Sequence, residues 1–224
     1  MQEKLHCYTF NKFRGVMDKQ LLKMLKKKRE KFYNDKLSIS KKYDDFLEKN
    51  GIYHSLNEQI FFNSIKGKKN LCEFTLQVYH EANYDNEKDF LLDCLLHMGY
   101  DRNSLTELVL SEFKKNKQSE YLWHYADFLY YLKNYLYMDD YLDIISDSGY
   151  GSSREMLILL VGESKKESVI PYLIKLSNEE NVIGHVLVAL SQYDDDRVIS
   201  LMTKFADYPK TWISEVAKKY IKNH

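Results

Sequence analysis

The last third of this chain repeats its apolar positions at a fixed interval, and that repetition constrains the fold more than any other feature. Met156-Leu157-Ile158 and Leu160 fall 30 residues before Val186-Leu187-Val188 and Leu190, and Val216 and Tyr220 follow a further 30 residues on. Ile183 and Ile213 match in the same register. The segments between them match at a spacing of 29, with Val169-Ile170, Leu173 and Leu176 answering Val198-Ile199, Met202 and Phe205. A gap of a single loop residue reconciles the two spacings. Within each segment the apolar residues recur at helical intervals, so each is an amphipathic helix that needs a neighbour to cover its stripe. Two such helices per repeat predict a helical-hairpin solenoid, in which stacking builds the core that one hairpin cannot build alone.

The rest of the chain keeps the rhythm without the readable repeat. The 224 residues include only 2 prolines and 8 glycines, too few turn formers for an all-β chain. Helices are predicted over 17–32, 40–49, 58–67, 69–81, 85–99, 104–113, 119–132 and 137–146. In the repeat region they are predicted over 152–162, 168–176, 182–192, 197–205 and 211–221. Ser55/Glu58, Ser104/Glu107 and Ser152/Glu155 have capping-box spacing, and Gly51, Gly67 and Gly99 stand just past helix ends. The expected class is all-α, an α-α superhelix of about 11–12 helices, with divergent hairpins over 1–150 and clear repeats over 151–224 in one continuous solenoid.

Residues 151–222 resemble bacterial HEAT repeats, an armadillo-type fold, of the short kind also found in phycobilisome-lyase-like proteins. Val169-Ile-Pro-Tyr-Leu-Ile-Lys-Leu176 carries the resemblance as a second helix and Val186-Leu-Val-Ala-Leu190 as a first helix. Where that family places an Arg near the start of each first helix, only Arg154 answers; Gly184 and Ser214 hold the equivalent places. Gln192-Tyr193 stands where a Leu-Gly pair is typical. The resemblance implies partner-binding scaffolds, among them immunity and antitoxin proteins.

Composition narrows the function classes. Lys+Arg and Asp+Glu are both 33, so there is no basic excess of the kind that general nucleic-acid binding requires. Cys7, Cys72 and Cys94 are odd in number and far apart, which fits a reducing cytoplasmic compartment better than a disulfide framework. The start Met1-Gln2-Glu3-Lys4-Leu5-His6 has no apolar leader core, and no apolar run reaches membrane-spanning length. A cytoplasmic protein without membrane insertion is expected.

No catalytic signature is present, so no enzyme, cofactor or metal is expected. His80-Glu81 with Asp85, Glu87 and Asp89 reads as a solvated loop and helix start, since position six of a calcium loop would be Phe90 rather than Gly. The segment from Met17 to Lys31 carries seven basic residues against Asp18 and Glu30, a net of +5. It has no interleaved aromatics and reads as the charged face of an end-capping helix.

Tyr121 to Tyr141 is the most unusual stretch, with nine aromatic residues in 21. Helical spacing turns Tyr121, Leu122, Tyr125, Phe128, Leu129 and Leu132 to one side and Trp123, Asp127 and Tyr130 to another. The next helix aligns Asp139, Asp143 and Asp147, although like charges at this spacing weaken a helix. Together with Tyr131 and Arg154, these residues are the candidate contact set for another protein, a basic one by charge. Arg154, Gly184-His185 and Trp212-Ser214 form a second row, at the starts of successive first helices. Gly184 is costly inside a helix, and two readings account for it equally: another group comes close to its backbone, or the position is a tolerated one at the helix N-terminus. The expected function is a non-enzymatic protein-protein interaction module, in the narrower case an immunity or antitoxin-type protein. The alternative is a DNA-repair protein of the HEAT-like alkylpurine DNA glycosylase type, with Trp123 and Asp127 at the lesion, against which the charge balance counts.

Overall fold

The computed structural model describes residues 41–52, 58–115 and 117–224. The predicted helix over 17–32, Cys7 and, in the gap at 53–57, Ser55 of the Ser55/Glu58 pair lie outside the described residues. Among the described residues there are twelve α-helices and no strand. They form two compact units that part at Leu108/Val109, inside one helix.

In the first unit, α1 (Lys41–Lys49), α2 (Glu58–Ile65), α3 (Cys72–Glu81), α4 (Asp85–Met98) and the first half of α5 (Arg102–Lys115) pack largely through aromatic rings. Phe46 of α1 stacks on Phe74 of α3 at 4.1 Å, and Phe62 of α2 stacks on His97 of α4 at 4.2 Å. The fully buried Tyr43 shares a hydrogen bond of 3.0 Å with Thr75. Burial also pushes its phenol far up from the ordinary range, so that side chain is a neutral core group. Gly99 ends α4 in the left-handed conformation (φ 85°), which lets Tyr100 N–H return to Leu95 O at 2.9 Å.

The second unit is layered. Four helices, α6 (Leu122–Leu132), α8 (Glu155–Glu163), α10 (Ile183–Leu190) and α12 (Thr211–Asn223), lie side by side in that order. The second layer is built by α7 (Met138–Ser146), packed on α8, α9 (Ile170–Leu176), packed on α10, and α11 (Asp196–Phe205), packed on α12. This is the helical-hairpin stack that the 30-residue register requires, and it reaches back to α6, ahead of the readable repeat. Its core is the repeated apolar set: Ile158, Leu160, Val186, Leu187, Leu190, Val198, Met202 and Ile213 are all fully buried or within a per cent of it. Each such side chain contributes roughly 1.5–3 kcal/mol by leaving water.

Two glycines set how closely the first layer packs. A Cβ on Gly162 would sit 2.6 Å from Ala189 Cβ and 2.7 Å from Ala189 Cα, so α8 and α10 approach backbone to backbone there. A Cβ on Gly184 would fall inside the indole of Trp212, which lies across the α10 backbone. Of the two readings open at Gly184 this is the close approach; the sequence gives no comparable sign for Gly162.

Two helix starts differ from expectation. α5 begins two residues before Ser104, because the Asp101 carboxylate accepts both Ser104 N–H (2.9 Å) and its hydroxyl (3.0 Å) and so acts as the cap. Ser152 and Glu155 form no capping box. A 3-10 turn over Ser148–Arg154 leads straight into α8, and Asp147 caps that turn through Gly149 N–H at 2.9 Å.

Candidate interaction surface

The layer α6–α8–α10–α12 has one side covered by α7, α9 and α11, and its contacts along the edges tie neighbouring helices together. At the C-terminal ends, Tyr130 on α6 donates to Glu163 Oε1 on α8 at 2.5 Å, and Lys133 pairs with the other oxygen of the same carboxylate. Lys133 also lies 5.1 Å above the Tyr130 ring. Burial first, and then the hydrogen bond to Glu163, push the Tyr130 phenol upward, so it serves as a donor and not as an acid. Further along this edge Tyr193 donates to Gly162 O at 2.9 Å, and Tyr220 donates to Tyr193 O at 2.7 Å. Each hydroxyl satisfies a carbonyl of the preceding repeat.

At the N-terminal ends, His185 on α10 stands between Glu155 on α8, whose Oε1 is 3.6 Å from Nδ1, and Trp212 on α12, whose ring meets the imidazole edge-on at 6.4 Å. The four helices therefore run parallel. Burial lowers the His185 pKa to about 4, so its imidazole is neutral at neutral pH with a quarter of its side-chain surface still exposed.

The candidate residues fall into three groups. Trp123, Asp127, Tyr130 and Tyr131 are half-buried on α6, in agreement with their helical spacing, and Trp123 packs on the His124 ring with centroids 3.6 Å apart. Asp139 and Asp143 are exposed on α7, a helix of the other layer. The aromatic and acidic sets therefore do not make one continuous surface, as their closeness in sequence suggests, because the turn after α6 carries the chain from one layer to the next. The acidic line is also partly neutralised. Lys114 pairs with Asp140 at 2.5 Å, and Lys117 pairs with Asp147. The hydrogen bond from Lys117, with the Gly149 N–H, holds the Asp147 carboxyl below its ordinary range.

Arg154 is a correction. It has no exposed surface at all and cannot touch a partner. Its guanidinium donates to Gly151 O at 2.9 Å, Ile145 O at 2.7 Å and Glu179 Oε2 at 2.5 Å, joining α7, the 3-10 turn and the loop before α10. Arg suits this position because its fixed fork satisfies several acceptors at once without losing its charge.

Glu155, Glu163 and His185 are half-buried positions of this layer, as Trp123, Asp127, Tyr130 and Trp212 are. The sequence gives no sign of the two glutamates, which look like ordinary solvated positions until helix pairing is known. Among the described residues no group of three or more His, Cys, Asp or Glu side chains could hold a metal ion, and no helix is long and apolar enough to cross a membrane. Compared with protein-family models, with curated proteins and with solved structures, the chain finds no match. The class that fold and surface define is an all-α stack of helical hairpins.

Proposed function

We propose that this chain is a non-enzymatic protein-binding module that uses the side of its first helical layer turned away from α7, α9 and α11. One observation carries the reading: Trp123, Asp127 and Tyr130 on α6 and His185 and Trp212 on α10 and α12 are all half-buried on helices that lie side by side. Half-buried tryptophan and tyrosine on a rigid layer supply large contact area with little ordering cost, which is why such residues dominate interface energetics. Asp127, Glu155 and Glu163 bring three carboxylates to these helices, Glu163 pairing with Lys133, and this acidic character fits a basic protein partner. An immunity or antitoxin role against a basic effector is the narrower form of this reading, and it rests on the HEAT resemblance.

Affinity capture with the tagged chain tests the proposal. A stoichiometric protein partner is expected, lost when Trp123→Ala and Asp127→Lys are combined and retained with Asp139→Lys. Capture of DNA in place of protein, unaffected by those changes, would overturn the proposal in favour of the glycosylase-type alternative.

A further inference from the structure

Among its described residues the second unit exposes three large apolar side chains, Leu136, Tyr172 and Ile221. Two of them stand in oppositely charged surroundings. Leu136, 80 % exposed, sits in the 3-10 turn that opens α7 and is followed at three and seven residues by Asp139 and Asp143. Those two carboxylates are exposed and have no ion pair among the described residues, whereas Asp140 on the same helix and Asp147 just past its end are held by lysines. The outward line of α7 is thus one leucine and two unpaired aspartates.

The other is Ile221, 37 % exposed on the last helix of the stack. Lys218 and Lys222 are its helical neighbours, both exposed. Lys222 has no carboxylate partner among the described residues, and Lys218 reaches only the fully solvated Asp207 at 3.7 Å. Among the described residues α12 is the last helix of the layer, packed on α10 and α11.

We infer that this chain self-associates head to tail, the α12 row Lys218–Ile221–Lys222 of one copy seating on the α7 row Leu136–Asp139–Asp143 of the next. The occupant is a second copy because both rows belong to the same compact unit, with opposite charge and one exposed aliphatic side chain each. The two rows are different surfaces, so the contact is heterologous: each copy keeps one free row of either kind and growth does not stop at a dimer. A contact between single helices lies below about 1,200 Å², in the weak class, so assembly appears only at high concentration. This proposal stands apart from partner binding by the first layer, since it shares no residue with the set that carries that reading.

Sedimentation of the full chain from about 5 µM to about 500 µM, at low and at high salt, tests it. The expected result is a mean mass that rises past the dimer with concentration, at least tenfold weaker at about 500 mM salt than at about 50 mM. Asp139→Lys with Asp143→Lys leaves a monomer, and so does Lys218→Glu with Lys222→Glu. All six residues are exposed, so circular dichroism should show both variants folded. Mixing the two variants in equal amounts restores association, because each now offers the charge that the other lacks. A wild-type chain that stays monomeric throughout would overturn the inference. So would association that neither pair of changes weakens, or a mixture that remains monomeric.

Discussion

At Gly184 the side chain is a hydrogen because the indole of Trp212 occupies the space that any larger one would need. Gly184→Ala must displace that ring or push α12 away. The expected cost is about 2 kcal/mol, read by urea unfolding followed by far-ultraviolet dichroism. Gly162→Ala meets backbone atoms of Ala189 and not the end of a flexible side chain, so the neighbour cannot turn aside. It should cost more than Gly184→Ala, and Ala189→Gly should recover part of the loss. Arg154 gives the sharpest contrast between a structural and a contact role. Arg154→Ala removes three hydrogen bonds and leaves Ile145 O and Glu179 without their donor, a loss of roughly 3 kcal/mol. If Arg154→Met instead folds as stably as the wild type, the buried network contributes nothing net and that assignment fails.

Elements join through pairs that sit at equivalent places on successive helices. At the α8–α10–α12 junction His185 is neutral when folded, with a pKa lowered to about 4, while in the unfolded chain it titrates near its ordinary value. As pH falls the unfolded state takes up the proton first, so stability present above about pH 6.5 is lost between about 6.5 and 4. The exposed quarter of the side chain and the nearby Glu155 carboxylate reduce the effect, to about 1–2 kcal/mol. His185→Gln should flatten the stability profile across this range, and an unchanged slope would show that other groups produce it. Helix starts were the least legible elements. Ser104 and Glu107 have the capping-box spacing, yet Asp101 three residues earlier takes the role, since the side chain that wins depends on where the preceding loop enters. Asp101→Ala should therefore lower the unfolding temperature more than Glu107→Ala does.

For the whole molecule, the repeat was readable because burial of a helix on both flanks forces apolar residues at fixed places, and those places survive as a spacing in the chain. Ile183 and Ile213, or Leu160 and Leu190, announce each other for that reason alone. Before α8 the same stack continues through α6, but there the apolar positions are filled by tyrosine and phenylalanine such as Tyr125 and Phe128, and the changed sizes erase the match. The candidate surface was half legible. Helical phase alone turns Trp123, Asp127 and Tyr130 outward, while the crossing from one layer to the other between α6 and α7 is a tertiary fact that separates the aspartates from them. The burial of Arg154 is likewise invisible until Glu179 and Ile145 O are seen to surround it.

The chain has two tryptophans, and each stands against a histidine ring: Trp123 on His124, and Trp212 beside His185 over the bare backbone of Gly184. An indole wedged in this way is a built-in optical gauge. With Trp123 changed to phenylalanine, the emission of Trp212 alone reports whether the final hairpin is seated, shifting to the red when α12 lifts from α10 and dimming when an imidazolium forms next to it. The last repeat thus signals its own docking without any added label.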